Sequence, residues 1–279
     1  MKKMLTFALV LCLLLCSCGN SNAPTEPEQT DDKSTTNTSI ETSVDQEQTE
    51  TEPPTESTQS DKVTVYLLEK TSLYDSGNTQ YFYDENYNID TSRIFTIEDE
   101  LVCTYYFENK DRNGMPRTYR GDWGDEYDEI WTLSWFEDGK INEEQYGSDL
   151  NGSKYDYNPA GNIAEKRQYY EGDLEYITSF SYDGDKLASV YCKDGNGDMV
   201  YKCIVENGRI VKVINYNYDG SLSHTVYLQY DKNGNLTKEF LEYGGETITS
   251  KIYTYKAVEV DADRAHYLIE QQKYLNPIT

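Results

Sequence analysis

Histidine is almost missing from this chain: His224 and His266 are the only two in 279 residues, and they fall in different predicted elements. That scarcity removes His-based metal spacings and the Ser, Asp and His set of a hydrolase, and no glycine loop of the phosphate-cradling kind is present either. Basic residues are also few, 25 Lys and Arg against 50 Asp and Glu, for a formal net charge of −25. So negative a potential repels nucleic acid, heparin-like polymers and bare anionic lipid, which leaves basic proteins, neutral glycans or cations as partners. Long apolar runs are lacking too. The run Leu5 to Leu15 rises only about 16 Å as a helix, against a hydrocarbon core of about 30 Å.

What is present begins with a leader. Lys2 and Lys3 precede the apolar run, which ends in Leu15-Cys16-Ser17-Cys18, the layout of a secretory signal over residues 1–17. Leu15 at −3, Ser17 at −1 and Cys18 at +1 resemble the bacterial lipobox. The resemblance implies cleavage before Cys18, diacylglyceryl attachment to its sulfur, and a protein held outside the cytoplasm on a membrane through its lipid anchor. Residues 18–62 then read as a disordered acidic tether. Residues 19–62 hold four of the seven prolines, long Ser, Thr, Glu and Gln runs, and 11 acidic against 2 basic residues. This stretch cannot bury enough apolar area to offset its ordering, and as a flexible coil it reaches roughly 35–40 Å. Of the six cysteines, Cys103, Cys192 and Cys203 remain beyond Cys18. Across a turn near residue 196 Cys192 is expected to face Met199 rather than Cys203, which leaves a bond between neighbouring hairpins as the alternative and three buried free thiols as the favoured reading.

From residue 63 onward a turn keeps returning. YDSGN at 74, YDENYNI at 83, EDGKI at 137, YNPAGNI at 157 and YDGDKL at 182 belong to a series that continues with ENGRI at 206, YDGSL at 218 and YDKNGNL at 230. The mean spacing is about twelve residues, one short strand plus one tight turn. All 27 tyrosines lie in this part, where period-two alternation sets Val226, Leu228 and Tyr230 on one strand face, and Ile210, Ile214, Tyr216 and Tyr218 on another. The expectation is an all-β domain over 63–260: a repetitive antiparallel hairpin meander of some sixteen strands, twisted or spiralling, that must curl or close at such a width. Asp183-Gly184, Asn207-Gly208 and Asp219-Gly220 suit type I′ turns, and Asp231 to Asn235 suits a type I turn with a glycine bulge. In YDENYNI, Tyr87 occupies the glycine position. Residues 261–279 read as a short capping helix and tail, with Ala265, Leu268, Ile269 and Leu275 inward, Asp261 as its cap and Pro277 past its end. Such a helix would cover an edge strand.

YDxxGN followed by an aliphatic residue, flanked by Tyr-rich strands, resembles the YD repeat of bacterial Rhs proteins. The match is best over 155–256 and degenerate over 66–154. It implies a spiralling sheet, which in the large members forms a hollow shell around a toxin. This chain is too short for a full shell, so encapsulation is not carried over.

Each chemical motif has a plain counterpart. Asp194, Asn196 and Asp198, and Asp231, Asn233 and Asn235, resemble calcium loops, but Met199 and Leu236 stand where that loop needs glycine. Hairpin turns account for both, and no metal or cofactor is expected. No carboxylate pair stands out for glycoside hydrolysis, so the protein is not expected to be an enzyme, with an envelope glycoside hydrolase the weakest alternative. The unusual patch is residues 117–138, which hold all three tryptophans, Trp123, Trp131 and Trp135, near Asp122, Asp125 and Tyr127. Rings beside carboxylates suit sugar recognition, whereas even spacing of Trp131 and Trp135 with Leu133 suits a core. The expected function is a surface lipoprotein that binds carbohydrate or cell-wall polymer. The alternative is a protein-interaction or adhesion module related to Rhs-type repeats.

Overall fold

The computed structural model describes residues 61–124, 128–147 and 150–276. These residues form sixteen antiparallel strands and one helix. The first eight strands are β1 (Lys62–Leu73), β2 (Gly77–Tyr83), β3 (Ile89–Phe95), β4 (Leu101–Glu108), β5 (Thr118–Asp122), β6 (Asp128–Trp135), β7 (Ile141–Tyr146) and β8 (Asn151–Tyr157). There follow β9 (Ile163–Tyr170), β10 (Asp173–Asp183), β11 (Lys186–Asp194), β12 (Met199–Glu206), β13 (Arg209–Tyr216), β14 (Leu222–Tyr230), β15 (Leu236–Tyr243), β16 (Glu246–Asp261) and helix α1 (Ala262–Leu275). Every strand pairs with its sequence neighbours, and β1 pairs with β16, so the sheet is a closed barrel. The expected all-β hairpin meander is therefore present, and it resolves to a closed ring. With no free edge left, α1 has no edge strand to cover.

Antiparallel order sends successive connections to alternate ends of the barrel. The β2–β3, β4–β5 and β6–β7 turns lie at one end with the start of β1 and the finish of β16. Helix α1 lies across that end. Arg264 donates to the Asn113 carbonyl, His266 meets the Asp138 carbonyl, and Gln271 Nε2 donates to the Gly114 carbonyl at 3.1 Å. Ala265 and Leu268 are buried as expected, whereas Ile269 is exposed. Asp261 makes no cap bond; its carboxylate pairs with Lys62 Nζ at 2.7 Å. Pro277 falls outside the described residues.

At this helix end the tyrosine of the YD pattern has one repeated task. The hydroxyls of Tyr157, Tyr182 and Tyr230 donate to the carbonyls of Ile141, Ile163 and Ile210 at 2.7, 3.0 and 2.8 Å. Ile141 and Ile163 open their strands and Ile210 stands second in its own, and all three side chains are buried. Tyr83 donates likewise to the carbonyl of Leu68, midway along β1, at 2.7 Å, and the Trp135 indole N–H to that of Pro116, two residues before β5, at 2.5 Å. Each ring thus ties the end of its strand to the backbone of the preceding strand or its approach, where a bulge interrupts the ladder beside it. Burial raises the Tyr230 hydroxyl above its ordinary range.

The bulges also shift the alternation. Ile210 and Val213 are the buried pair of β13, and Tyr218 is not on that face but in a turn at the opposite end, 95% exposed. Turn forms differ from expectation at two of three places. Asn207 and Gly208 both have positive φ, as type I′ requires, but Gly184 alone does at its turn, the type II′ pattern. Gly220 closes a bulged five-residue turn, its N–H bonding the Asn217 carbonyl. Tyr87 adopts φ of 64°, so its hairpin forms with a tyrosine in the glycine conformation, as the next one does with Asp99 at 62°.

Inside, the helix end is aliphatic and the middle is polar. Thr104, Ser153, Lys166, Thr178 and Glu239 are buried. Buried charges cost much unless paired, and here they are met. Tyr155 donates to Glu144 at 3.0 Å, Lys166 sits 5.3 Å from the Tyr155 ring, and Tyr253 and Lys251 both reach Glu239. Cys103, Cys192 and Cys203 are buried and free. Cys192 faces Tyr201, and Lys193 takes the place opposite Met199, because a bulge lies between them.

Two outcomes follow for stability. Asp99→Gly relieves a left-handed non-glycine residue and is expected to add about 1 kcal/mol, whereas Gly234→Val, at φ of +93°, should cost about 1–3 kcal/mol. In a domain of this size each kcal/mol moves the melting midpoint by about 2–4 °C, which calorimetry resolves. The second concerns alkali. Burial pushes the Cys103 thiol up to about 11 and Cys203 to about 12 from the ordinary 9.0. Raised values favour the neutral form in the fold, so this stabilisation is whole below pH 9 and falls as pH rises through 11 and 12. Denaturant titrations at about pH 8 and about pH 11 should show the midpoint drop.

Candidate functional site at the open end

Of the fifteen connections, seven lie at the end where α1 sits and eight at the end opposite it. Chain entry at Lys62 and the helix both lie at the far end, so the open end has no neighbour within the described chain. A soluble barrel would be expected to finish such tips with small polar residues. Instead each carries a large apolar side chain in or beside its turn. Tyr74, Ile97, Trp123 and Leu150 stand on the first four, all exposed. Tyr170, Met199, Tyr218 and Tyr243 stand on the next four, and these too are exposed. At the helix end only the β6–β7 turn carries an exposed large apolar residue among those described, Phe136, and its ring packs edge-on against Tyr157 at 5.8 Å.

The three tryptophans are spread along β6 and its preceding turn rather than gathered. Trp123 stands at the open rim, 36% exposed, its ring edge-on to Tyr105 at 6.2 Å. Gly121 permits this, since a Cβ there would meet the Tyr105 ring at 2.6 Å. Trp131 lies deeper, stacked on Tyr119 at 5.5 Å with 7° between planes and tilted against Tyr146 at 4.9 Å. Its faces are therefore occupied by neighbouring rings. Trp135 is at the helix end, against Tyr274 at 5.6 Å, in the clamp position that tyrosine fills elsewhere. Asp122 turns its carboxylate onto the Gly124 N–H at 3.0 Å. Asp125 and Tyr127 lie outside the described residues. Among the described sequence candidates, Trp123 is thus the exposed ring.

The turn carboxylates that resemble calcium ligands serve their own loops. Asp194 Oδ1 accepts the N–H groups of Asn196 and Asp198 at 2.9 Å, and Asp231 Oδ1 those of Asn233 and Asn235 at 2.8 and 2.9 Å. Among the described residues no three His, Cys, Asp or Glu side chains converge as a metal site. A cleft of about 270 Å³ beside the β7–β8 turn is lined by Glu143, Ser153, Lys154 and Tyr169. Lys154 is already paired with Glu143 there at 3.1 Å. Sequence reasoning missed the rim because its apolar residues are isolated in the chain, one in every second twelve-residue repeat, and share an end only once strand direction is known.

No family model matches the chain, and no curated protein matches it in sequence. Solved structures similar to it include the TcdB2-TccC3-TEV crystal structure, at 10% identity over 67% of this chain and 16% of that one, with a TM-score of 0.23. The Photorhabdus luminescens Tc holotoxin pore is similar at 11% identity over 67% of this chain and 15% of that one, with a TM-score of 0.24. A porin-like protein from Bacteroides uniformis is similar at 12% identity over 68% of this chain and 96% of that one, with a TM-score of 0.31. The chain thus spans about a sixth of the length of the toxin chains it matches.

Proposed function

We propose that the protein is an extracytoplasmic lipoprotein, acylated at Cys18, that presents a closed β-barrel whose open rim binds a macromolecular partner. One observation supports a binding rim above all: a large apolar side chain is exposed in or beside each of the eight open-end connections, while α1 lies across the other end. Apolar surface gathered on one face of a soluble domain marks an interaction site. A protein ligand suits the rim better than a sugar, because apolar contacts are dispersed around a ring rather than set as two rings flanking a narrow cleft. Carbohydrate or cell-wall polymer binding rests on Trp123, the exposed tryptophan.

Two measurements check this. Cys18→Ala is expected to move the protein from the membrane to the soluble fraction, and retention there would remove the lipid anchor. Tyr218→Ser combined with Tyr243→Ser is expected to weaken binding of the labelled protein to an extracellular protein fraction by about tenfold, about 1.4 kcal/mol. Protease treatment of that fraction should abolish the signal. Binding that survives protease and fails with Trp123→Ala on a glycan array would replace the protein ligand with a carbohydrate.

A further inference from the structure

The two ends of the barrel differ in charge as well as in apolar exposure. None of the eight open-end connections contains a Lys or Arg, and seven of them contain an acid, among them Asp75, Glu98, Glu171, Asp198 and Asp219. The eighth, Gly244-Gly245, is followed directly by the exposed Glu246. The connections at the helix end hold Lys110, Arg112, Arg117, Lys140 and Lys232. Acid and apolar residue alternate closely at the rim: Tyr74 precedes Asp75, Ile97 precedes Glu98, Tyr170 precedes Glu171, and Tyr218 precedes Asp219. Each apolar side chain therefore comes with an adjacent carboxylate.

Three occupants can be compared on that pattern. A second copy meeting rim to rim would oppose like charges with no basic residue in either set of connections, which costs association. A bilayer surface fits the exposed aromatic rings, but membrane-surface segments carry Lys and Arg beside them, and an anionic leaflet repels this rim. A polypeptide with basic and apolar side chains in alternation satisfies both features at once. Its apolar groups cover Tyr74, Tyr218 and Tyr243, and its cations meet the carboxylates next to them.

We infer that the open rim docks a cationic polypeptide partner outside the cell, engaging it by apolar contact at the turn tips and by charge between them. This rests on the rim being the binding face and adds the chemistry of the partner. The aromatic tips supply the contact area, as tyrosine commonly does in interfaces, and the acids steer approach and exclude acidic competitors.

The test uses the mature chain and three synthetic peptides of equal length: one of alternating Lys and Leu, one all Lys, and one of alternating Ser and Leu. Fluorescence anisotropy should show the Lys/Leu peptide binding at least about tenfold more tightly than either other peptide, and weakening as NaCl rises from about 0.05 M to about 0.5 M. Tyr74→Ser, Tyr218→Ser and Tyr243→Ser together should weaken it by about tenfold at unchanged melting temperature, while Phe136→Ser at the helix end should leave it unaltered. No binding of the Lys/Leu peptide, or equal binding by the triple variant, overturns the inference. If the Ser/Leu peptide binds as tightly as Lys/Leu and both are lost in the triple variant, the cationic partner falls while the rim remains the binding face. Peptide binding that ignores the rim variants but fails with Phe136→Ser removes both.

Discussion

The pairing of β1 with β16 is the constraint on which the other features depend. Lys62 and Asp261, bonded at 2.7 Å, are 199 residues apart, so this contact forms only after the chain has lost a large conformational entropy. Its reward is the removal of both edges of a sixteen-strand sheet, either of which would otherwise template association. Closure also gives the barrel an inside, and with it a reason for Tyr155, Lys166, Thr178 and Glu239 to be buried together. Two long strands share the task, 12 and 16 residues against 5 to 11 elsewhere.

Around that ring, one side-chain bond is repeated. The hydroxyl near the end of a strand reaches a carbonyl of the preceding strand, in most cases one at its start, beside a bulge that leaves the ladder incomplete. The aliphatic residue that supplies the carbonyl buries its side chain in the same place. Helix α1 extends this logic with amides: Gln272 Oε1 accepts the Leu68 N–H at 2.7 Å, and Gln271 Oε1 the Ile89 N–H at 3.0 Å. Without those glutamines two buried strand donors would be unmet, which is as costly as losing a hydrogen bond outright.

The hairpin period was legible because turns are local: Asp or Asn before Gly dictates where the backbone reverses. Closure was not legible, since strand pairing across the whole chain leaves no mark at the level of spacing. Trp135 illustrates a subtler loss. Its position one residue before the turn at Phe136 is equivalent to that of Tyr157 before Asn158, but the substitution of tryptophan for tyrosine hid it among apparent ligand-binding rings. In α1 the apolar spacing that put Ile269 inward did not mark Gln271 and Gln272, yet both amides are buried and Ile269 is exposed. Tyr218 and Tyr230 look alike in sequence, YDG and YDK, yet one crowns a rim and the other clamps a core, because only strand direction separates them.

An even strand count has an evolutionary corollary. Adding or deleting one whole hairpin keeps the first and last strands antiparallel and returns both termini to the side covered by α1, whereas a single added strand would break the seam between β1 and β16. The ring can therefore change circumference in steps of two strands, widening or narrowing its open rim by one tip at a time, while α1 and the seam between β1 and β16 stay where they are.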